Sequence, residues 1–203
     1  MARLRLLRPS LPEPRPDVIE TERMVLRPPT LADHRAWAEL RGASEAFLRP
    51  WEPEWTTREL SRTTYRQRIR SQTGLVAAGR ALPWFLFSRA DDALLGGVTV
   101  SNIRRGVAQA GTLGYWMGEA YAGRGYMSEA VEAVVADAFD RHGLHRLEAA
   151  TLATNARSIA LLDRCGFERE GLARGYLCIE GRWQDHLLYG RVASSSPRYG
   201  GRD

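Results

Sequence analysis

The apolar residues of this chain recur with two different periods, which predict both strands and helices. Short apolar or alternating runs bounded by Gly, Asp and Pro are typical of β-strands. Seven such runs lie at about 18–27, 81–89, 94–103, 108–117, 146–152, 167–179 and 183–192. The turn residues that join neighbouring runs lie at 91–92, 104–106 and 180–181. The pattern therefore predicts seven strands, several of them in antiparallel hairpins.

Four helices are predicted, the clearest of them from apolar residues at spacings of three and four. The strongest pattern begins near Tyr126 and ends before Gly143, and its apolar side carries Met127, Ala130, Val131, Val134, Val135 and Ala138. A second helix is predicted after Thr30, with Asp33 at the third following position as in a capping box. Its expected buried residues are Leu31, Trp37 and Leu40. Two further helices are predicted over about 57–70 and 154–165.

The predicted elements follow the order β-α-α-β-β-β-α-β-α-β-β, which indicates an α+β fold around one mixed sheet. Residues 18–192 form a single domain in this interpretation, because no repeat or second boundary interrupts them. Arg and Pro residues over 1–17 predict an extended arm. The Ser- and Gly-rich segment 193–203 predicts a disordered tail.

The segment 47–55 contains two prolines and two tryptophans, Trp51 and Trp55, so no regular structure is predicted there. One interpretation is a loop that is fixed by tryptophan packing in the core. The other is a rigid aromatic lip over a binding site, since loops on a scaffold often carry binding residues.

Composition narrows the class of protein without identifying it. The chain has 203 residues, of which 44% are hydrophobic and 26% charged, and these values are typical of a soluble globular protein. Cys165 and Cys178 match no metal-ligand spacing and do not suggest a disulfide framework, which favours a reducing cytoplasm. Neither a signal peptide nor a membrane span is predicted. The net charge of +5 lies partly in terminal arginines and fits either an acidic, RNA-rich neighbour or solvated tails.

A glycine-containing link between a strand and a helix carries the first indication of chemistry. The apolar run 108–117 stops at Gly118, Gly123 and Gly125 follow, and a helix is predicted from Tyr126. Glycine lets the main chain approach a ligand closely, and the unpaired amides at a helix N-terminus carry partial positive charge. The link is therefore either a phosphate- or pyrophosphate-binding loop or a tight turn that binds nothing.

Three pieces of sequence, in this order and spacing, resemble one family. They are Arg49-Pro-Trp51-Glu-Pro, then Gly114-Tyr-Trp with Gly123-Arg-Gly-Tyr-Met-Ser-Glu-Ala130, then Asn155-x-x-Ser158 with Cys165-Gly-Phe167. Over residues 18–192 the chain is similar to the Gcn5-related N-acetyltransferases (GNAT). Within that superfamily it resembles the RimJ/RimL branch, which acetylates the N-termini of ribosomal proteins. The closing Trp183-x-Asp185-His-x-Leu-Tyr189 also suits that branch.

The resemblance implies the GNAT fold, a mostly antiparallel sheet of about seven strands with four helices and a splayed parallel pair in its centre. Acetyl-CoA would bind between the two splayed strands, here 108–117 and 146–152, and no metal is implied. The main chain of Tyr115, Trp116 and Met117 would hold the pantetheine arm and the acetyl carbonyl. The pyrophosphate would bind the main-chain amides of Gly123, Arg124, Gly125, Tyr126, Met127 and Ser128.

The resemblance also assigns roles near the thioester. Asn155 would hydrogen-bond the pantetheine arm, and Ser158 would face the sulfur as the general acid. The Met117 amide would stabilise the oxyanion. Four positions depart from the family pattern. Ala122 and Met127 replace the outer residues of the phosphate signature, Leu162 replaces a common tyrosine acid, and Ala150 replaces a base carboxylate of some ribosomal acetyltransferases. The base is therefore unassigned, and its candidates are Glu148, Glu119, Glu52 and Glu54.

The absence of an obvious base favours an acceptor that is easily deprotonated. An α-amino group has a pKa of about 7.7–8.0 and a lysine of about 10.4, so more of the α-amine is neutral near neutral pH. The leading hypothesis is acetylation of the N-terminal alanine of a ribosomal protein. The side chain of that alanine would lie in a small pocket formed by Trp51, Trp55 and Tyr176. Alternatives are acetylation of a small amine, such as an antibiotic or polyamine, and a non-catalytic acyl-CoA-binding sensor or ribosome assembly factor. A cytoplasmic monomer or homodimer is expected, with neither direct nucleic-acid readout nor membrane attachment.

Overall fold

The computed structural model describes residues 18–194, which contain one eight-stranded sheet. Its strands are β1 (Ile19–Glu20), β2 (Met24–Arg27), β3 (Leu82–Ser88), β4 (Leu94–Arg104), β5 (Ala110–Met117), β6 (Arg146–Leu152), β7 (Glu168–Ile179) and β8 (Arg182–Val192). Their order across the sheet is β1-β2-β3-β4-β5-β6-β8-β7. The predicted arm at 1–17 and the part of the predicted tail from 195 onward lie outside the described residues.

One parallel pair interrupts an otherwise antiparallel sheet in the described chain. β5 and β6 pair over Ala110–Thr112 and Arg146–Glu148, and the pairing then ends although both strands continue. β4 holds β5 on one side, and β8 holds β6 on the other. β5 and β6 therefore diverge beyond Thr112 and leave a gap in the middle of the sheet. The α+β fold with a splayed parallel pair is confirmed.

Five α-helices within residues 18–194 cover the sheet. They are α1 (His34–Ala43), α2 (Glu45–Leu48), α3 (Arg62–Ala77), α4 (Tyr126–Asp140) and α5 (Ala156–Arg164). Short 3-10 turns lie at Leu31–Asp33, Arg49–Trp51 and Glu119–Tyr121. No helix of the described chain is long and apolar enough to cross a membrane.

Side chains of β3 alternate between two cores, because successive residues of a strand point to opposite faces of a sheet. Trp84 and Leu86 belong to the larger core, which also contains the apolar side of α4. Phe85 and Phe87 belong to a smaller core with Trp37 of α1. Helices on both faces therefore bury β3 at every position, which explains why its sequence is a continuous apolar run.

The predicted apolar side of α4 is confirmed. All six of its predicted residues are buried, and Val131 and Val134 are 0% exposed. Burying one valine side chain contributes about 1.5–3 kcal/mol. This packing fixes α4 against the sheet and so fixes the position of its N-terminus beside the gap.

Two predictions about the N-terminal part of the chain are wrong. The predicted first strand is two strands, because the chain turns back and pairs Ile19 with Leu26, so the sheet has eight strands and not seven. Leu31 was expected to be buried but is 52% exposed, because it lies in the 3-10 turn before α1 and not on the helix itself.

Two further corrections concern the segments around 47–70. The segment 47–55 is not wholly irregular, since it begins with the end of α2 and a 3-10 turn that has Pro50 near its start. Proline is tolerated there because its missing N–H is not needed in a first turn. α3 begins at Arg62 and not at 57, because Ser61 caps it by accepting the Thr64 N–H at 3.2 Å.

Candidate active site

A cavity of about 750 Å³ occupies the gap between β5 and β6. Its walls come from the ends of both strands, the 118–125 link, the first turns of α4 and α5, and the end of α2. Predicted site residues that line it are Tyr115, Trp116, Met117, Gly123, Gly125, Tyr126, Met127, Ser128, Asn155, Ser158 and Trp51. Arg124 does not line it. The fold thus gathers almost all of the predicted cofactor-binding residues around one space.

The main chain of β5 presents alternate residues to the gap. The Gly118 N–H donates to Leu95 O at 2.9 Å, so the main-chain groups of Gly118 face β4. Main-chain groups of successive strand residues face opposite sides, so those of Met117 and Tyr115 face the gap. Those of Trp116 face β4, which is contrary to the expectation that its main chain contacts a ligand in the gap.

The glycine link turns the N-terminus of α4 toward the cavity. Gly123 and Gly125 have φ angles of 74° and 80°, a region that costs residues with a side chain about 1–2 kcal/mol. Gly125 is the N-cap, and the first intrahelical bond runs from Glu129 N–H to Gly125 O at 3.1 Å. The amides of the preceding positions, Tyr126 to Ser128, have no intrahelical acceptor. This arrangement can hold an anion at the cavity wall.

Arg23, in the turn between β1 and β2, holds the link in place. Its Nε lies 2.6 Å from Glu129 Oε2, and its Nη1 donates to Arg124 O at 3.0 Å. Its guanidinium lies 4.4 Å from the centre of the Tyr126 ring. Burial raises the pKa of the Glu129 carboxyl, but hydrogen bonds from Thr21 and Arg23 outweigh burial and leave that pKa lowered. Glu129 is thus a carboxylate in the first turn of α4, where the helix dipole stabilises negative charge.

Asn155 caps α5, so its two amide atoms have different roles. Asn155 Oδ1 accepts the Ser158 N–H at 3.1 Å. The Nδ2 group is left as a donor, and Asn155 lines the cavity. A donor at this place is available for the contact with the pantetheine arm that the resemblance implies for Asn155.

The side chains of Tyr115 and Ser158 meet at the cavity wall. Tyr115 Oη lies 2.6 Å from Ser158 Oγ, and both residues line the cavity. Burial raises the pKa of Tyr115 to about 12, against a smaller opposing effect of the Ser158 hydrogen bond. The phenol therefore keeps its proton at neutral pH. The sequence pattern predicts a main-chain role for Tyr115 and does not reveal this side-chain contact.

A second cavity, of about 340 Å³, lies on the α1–α3 side of β4 and β5. The residues that line both cavities are Glu52, Gly114, Tyr115 and Trp116. Arg41, 2% exposed, lines the second cavity and binds Glu52 through two hydrogen bonds of 3.1 and 2.5 Å. Trp55 Nε1 donates to the same carboxylate at 2.8 Å. Glu52 is therefore fixed at the junction of the two cavities.

The four candidate base carboxylates lie in different places. Glu52 lines both cavities, Glu119 lines the first and Glu54 lines the second. Glu148 lines neither and is paired with Arg104 at 2.6 Å and Arg146 at 3.2 Å. Of the four, Glu52 alone stands where both cavities meet.

The predicted pocket of Trp51, Trp55 and Tyr176 is not formed as one unit. Trp51, 37% exposed, lines the first cavity, and Trp55 lines the second. Tyr176 lines neither, because it lies in β7 and β8 separates β7 from the gap. Its ring packs against His186 with the centroids 5.8 Å apart. The exposure of Trp51 at the cavity edge favours the aromatic lip over the loop anchored in the core.

Two arginines of α5, Arg157 and Arg164, also line the first cavity, although neither is among the predicted site residues. The Arg157 guanidinium lies 4.9 Å from the centre of the Phe47 ring, and Arg164 Nη1 donates to Ser128 Oγ at 3.2 Å. A separation of seven residues puts both on one side of a helix, and this signal was present in the sequence. Arg164 thus lies beside the free amides at the start of α4, where a cation suits a phosphate-bearing ligand, and Arg157 lies against α2 at another part of the cavity wall.

Comparisons with known proteins agree with this geometry. The family model described as an acetyltransferase (GNAT) domain matches residues 23–168. The ribosomal protein uS5-alanine N-acetyltransferase of Escherichia coli (strain K12) is 34% identical over 172 residues, which are 84% of this chain and 88% of that protein.

Two solved structures are similar over almost the whole chain. The ribosomal-protein-S5-alanine acetyltransferase from Vibrio fischeri has a TM-score of 0.82 and 28% identity, over 91% of this chain and 100% of that one. Mycobacterium smegmatis RimJ in complex with CoA-disulfide has a TM-score of 0.82 and 30% identity, over 90% of each chain. With the splayed strands and the helix N-terminus beside their gap, these matches show that the chain belongs to the GNAT family of acetyltransferases.

Proposed function

We propose that this acetyltransferase transfers the acetyl group of acetyl-CoA to the N-terminal α-amine of a ribosomal protein that begins with alanine. The observation that carries the proposal is the junction of two cavities at Tyr115 and Glu52. An acyl donor in one cavity and an amine in the other can approach the same stretch of β5 from opposite sides. The relatives from E. coli and V. fischeri are named as alanine acetyltransferases of a ribosomal protein.

The proposed cofactor position follows from the walls of the first cavity. The pyrophosphate lies against the amides at the start of α4, with Arg164, which binds Ser128, as a nearby cation. The pantetheine arm runs along the gap-facing main chain of β5 and accepts a hydrogen bond from Asn155 Nδ2. The M. smegmatis relative has CoA, as a disulfide, in its structure, which supports this choice of cofactor.

The transfer needs a neutral amine, a stabilised oxyanion and a leaving thiolate. The amine nitrogen bonds to the carbonyl carbon and loses a proton to a base or to water, and the carbon–sulfur bond then breaks with its electron pair going to sulfur. In the proposal the Met117 N–H, which faces the gap, stabilises the oxyanion. The Ser158 hydroxyl donates a hydrogen bond to the departing sulfur.

Glu52 is the group that we propose binds the acceptor amine and takes its proton. Its Oε1 accepts one hydrogen bond, from Arg41 at 3.1 Å, so a lone pair remains for an ammonium or a bridging water. The second cavity contains the carboxylates Glu52, Glu54 and Glu59 and the guanidiniums of Arg41 and Arg68. The carboxylates of this cavity outnumber its guanidiniums, which favours a cationic acceptor. An α-amine is easier to deprotonate than a lysine by about 2.5 pKa units, about 3.4 kcal/mol, which favours a protein N-terminus.

The test gives the purified protein acetyl-CoA with one of three acceptors. These are a peptide that begins with alanine, the same peptide with a blocked N-terminus and an internal lysine, and a polyamine. Release of the CoA thiol gives the rate, and mass spectrometry locates the acetyl group. We expect kcat/KM on the α-amine to exceed that on the lysine by about three hundredfold. Acetylation confined to the polyamine contradicts the proposed acceptor, and cofactor binding without turnover on any amine supports a sensor.

A second series tests the alanine. Peptides that differ in the first residue, from alanine through serine and valine to tryptophan, are compared under the same conditions. The second cavity is walled by Trp55 and Trp116, so the rate should fall as the first side chain grows. A rate that does not depend on the first residue contradicts the preference for alanine.

A further inference from the structure

The hydroxyl of Ser158 is held by a tyrosine from the opposite wall of the gap. Among residues 18–194, Ser158 Oγ is the hydrogen-bond partner of the Tyr115 hydroxyl, 2.6 Å away. The contact joins β5 to the first turn of α5. Asn155 Oδ1 accepts a hydrogen bond from the Ser158 N–H at 3.1 Å. Both the main chain and the hydroxyl of Ser158 are therefore constrained.

We propose that Tyr115 is a positioning residue whose phenol donates to Ser158 Oγ and thereby directs the Ser158 proton toward the thioester sulfur. The inference rests on the proposed binding of acetyl-CoA in the gap. A hydroxyl group has one proton and two acceptor lone pairs. Once Ser158 Oγ accepts the phenol proton, the serine proton points elsewhere, and the open side is the cavity that both residues line.

The direction of this hydrogen bond follows from the chemistry of the two hydroxyls. A phenol is a stronger acid than an aliphatic alcohol and is therefore the better donor. If Ser158 donated instead, its proton would be held away from the sulfur, and the phenol proton would need another acceptor. Burial raises the pKa of Tyr115 to about 12, so the phenol stays protonated and able to donate near neutral pH.

Tyr115 is not the source of a proton for the leaving group. A thiol with a pKa of about 8.5 is a stronger acid than the Tyr115 phenol, whose pKa burial raises to about 12, so this proton transfer is uphill. When the carbon–sulfur bond breaks, its electron pair goes to sulfur. The Ser158 O–H then hydrogen-bonds the sulfur while the Tyr115 O–H hydrogen-bonds the Ser158 oxygen. Both protons stay on their oxygens, and water protonates the released thiolate.

The test is a double-mutant cycle with Tyr115→Phe, Ser158→Ala and the two combined. The phenyl ring keeps the packing of Tyr115, and thermal unfolding checks that each variant is folded. We expect Tyr115→Phe to lower kcat about tenfold, the effect of one lost hydrogen bond, and to leave KM for acetyl-CoA within about twofold. In the double variant kcat should be no lower than in Ser158→Ala, because the tyrosine acts through the serine.

A matched control removes a phenol oxygen from a residue that lines neither cavity. Tyr65 is 1% exposed in the smaller core and its hydroxyl donates to Thr30 O at 2.7 Å. Tyr65→Phe should lower the unfolding temperature without changing kcat. If it lowers kcat as much as Tyr115→Phe does, the effect is general destabilisation and the positioning role is wrong.

The acceptor is chosen so that two failures can be told apart. All variants are assayed with whichever amine the wild type acetylates, and also by the slow hydrolysis of acetyl-CoA without an amine. If a protein N-terminus is not the acceptor, the proposed function falls while the comparison of variants still holds. Wild-type kcat in Tyr115→Phe, or an additive loss in the double variant, overturns the role of Tyr115.

Discussion

Arg23 Nε lies 2.6 Å from Glu129 Oε2, and this ion pair ties the turn between β1 and β2 to the first turn of α4. The same side chain binds Arg124 O at 3.0 Å, so one guanidinium holds both the helix and the link before it. The Arg23 side chain is 41% exposed, and exposed ion pairs contribute little to global stability. Its effect should therefore be local, on the conformation of the glycine link.

We expect Arg23→Ala to weaken binding of acetyl-CoA while leaving the acetyl-transfer step intact. KM for acetyl-CoA should rise about three- to tenfold, the effect of one or two lost hydrogen bonds, with kcat changed less than twofold. Steady-state kinetics over a range of acetyl-CoA concentrations measures both. Arg89→Ala is the matched control, since Arg89 binds Glu20 and Thr21 O of the same hairpin but does not touch the link. An equal rise of KM in both variants contradicts the local role of Arg23.

A methyl group at Gly125 should also impair the cofactor site. At a φ of 80° an alanine is strained, and its Cβ would lie 3.4 Å from Arg23 Nη2. We expect Gly125→Ala to reduce the free energy of unfolding by about 1–2 kcal/mol and to raise KM for acetyl-CoA. Gly106→Ala has the same strain, at a φ of 69°, in a turn outside the cavity. The control should lose similar stability at unchanged KM, and a raised KM in it would contradict a specific role for Gly125.

The parts of the site that were predictable from sequence depend on local chain geometry. Glycines at 123 and 125 before an amphipathic helix fix both the turn and the helix N-terminus, because backbone freedom and apolar spacing act within a few residues. The start of α3 was missed although Ser61 is an ordinary N-cap. The arginine-rich pattern of that helix has few apolar residues, so its period gives little information about its ends.

The parts that were not predictable depend on contacts between distant segments. Tyr115 and Ser158 lie 43 residues apart in the chain, and Arg41 and Glu52 lie on either side of α2. No residue pattern states that two polar side chains will meet, because the meeting depends on how far β5 and β6 diverge. The prediction that Tyr176 lines the acceptor pocket was wrong for the same reason. The order of β8 and β7 across the sheet decides which strand reaches the gap.

Glu52→Gln should separate a catalytic contribution from a structural one. The neutral amide cannot take a proton from the acceptor, so kcat/KM should fall at neutral pH and recover as the pH rises and more amine is neutral. Measuring kcat/KM from pH 6.5 to 9.5 tests this. Loss of the charge that faces buried Arg41 should also cost about 3 kcal/mol of stability. Glu54→Gln, in the same cavity, should retain the wild-type pH profile, and an unchanged profile in Glu52→Gln rules out Glu52 as the base.

Asp33 should make the stability of the fold depend on acid pH. Burial raises the pKa of the Asp33 carboxyl, but hydrogen bonds from Arg27 and Thr30 outweigh burial and leave that pKa below its ordinary value. A carboxyl with a lowered pKa in the folded state stabilises the protein above the unfolded-state value, about 3.9, and loses this contribution as the pH falls below it. Asp33→Asn should therefore be less stable than the wild type by about 1.5–3 kcal/mol at pH 7, with the difference shrinking below pH 4. Urea denaturation followed by circular dichroism measures it, and Glu39→Gln, which breaks an exposed pair with Arg35, should show almost no difference at any pH. A difference for Asp33→Asn that stays constant down to pH 3 contradicts the ionised Asp33–Arg27 pair.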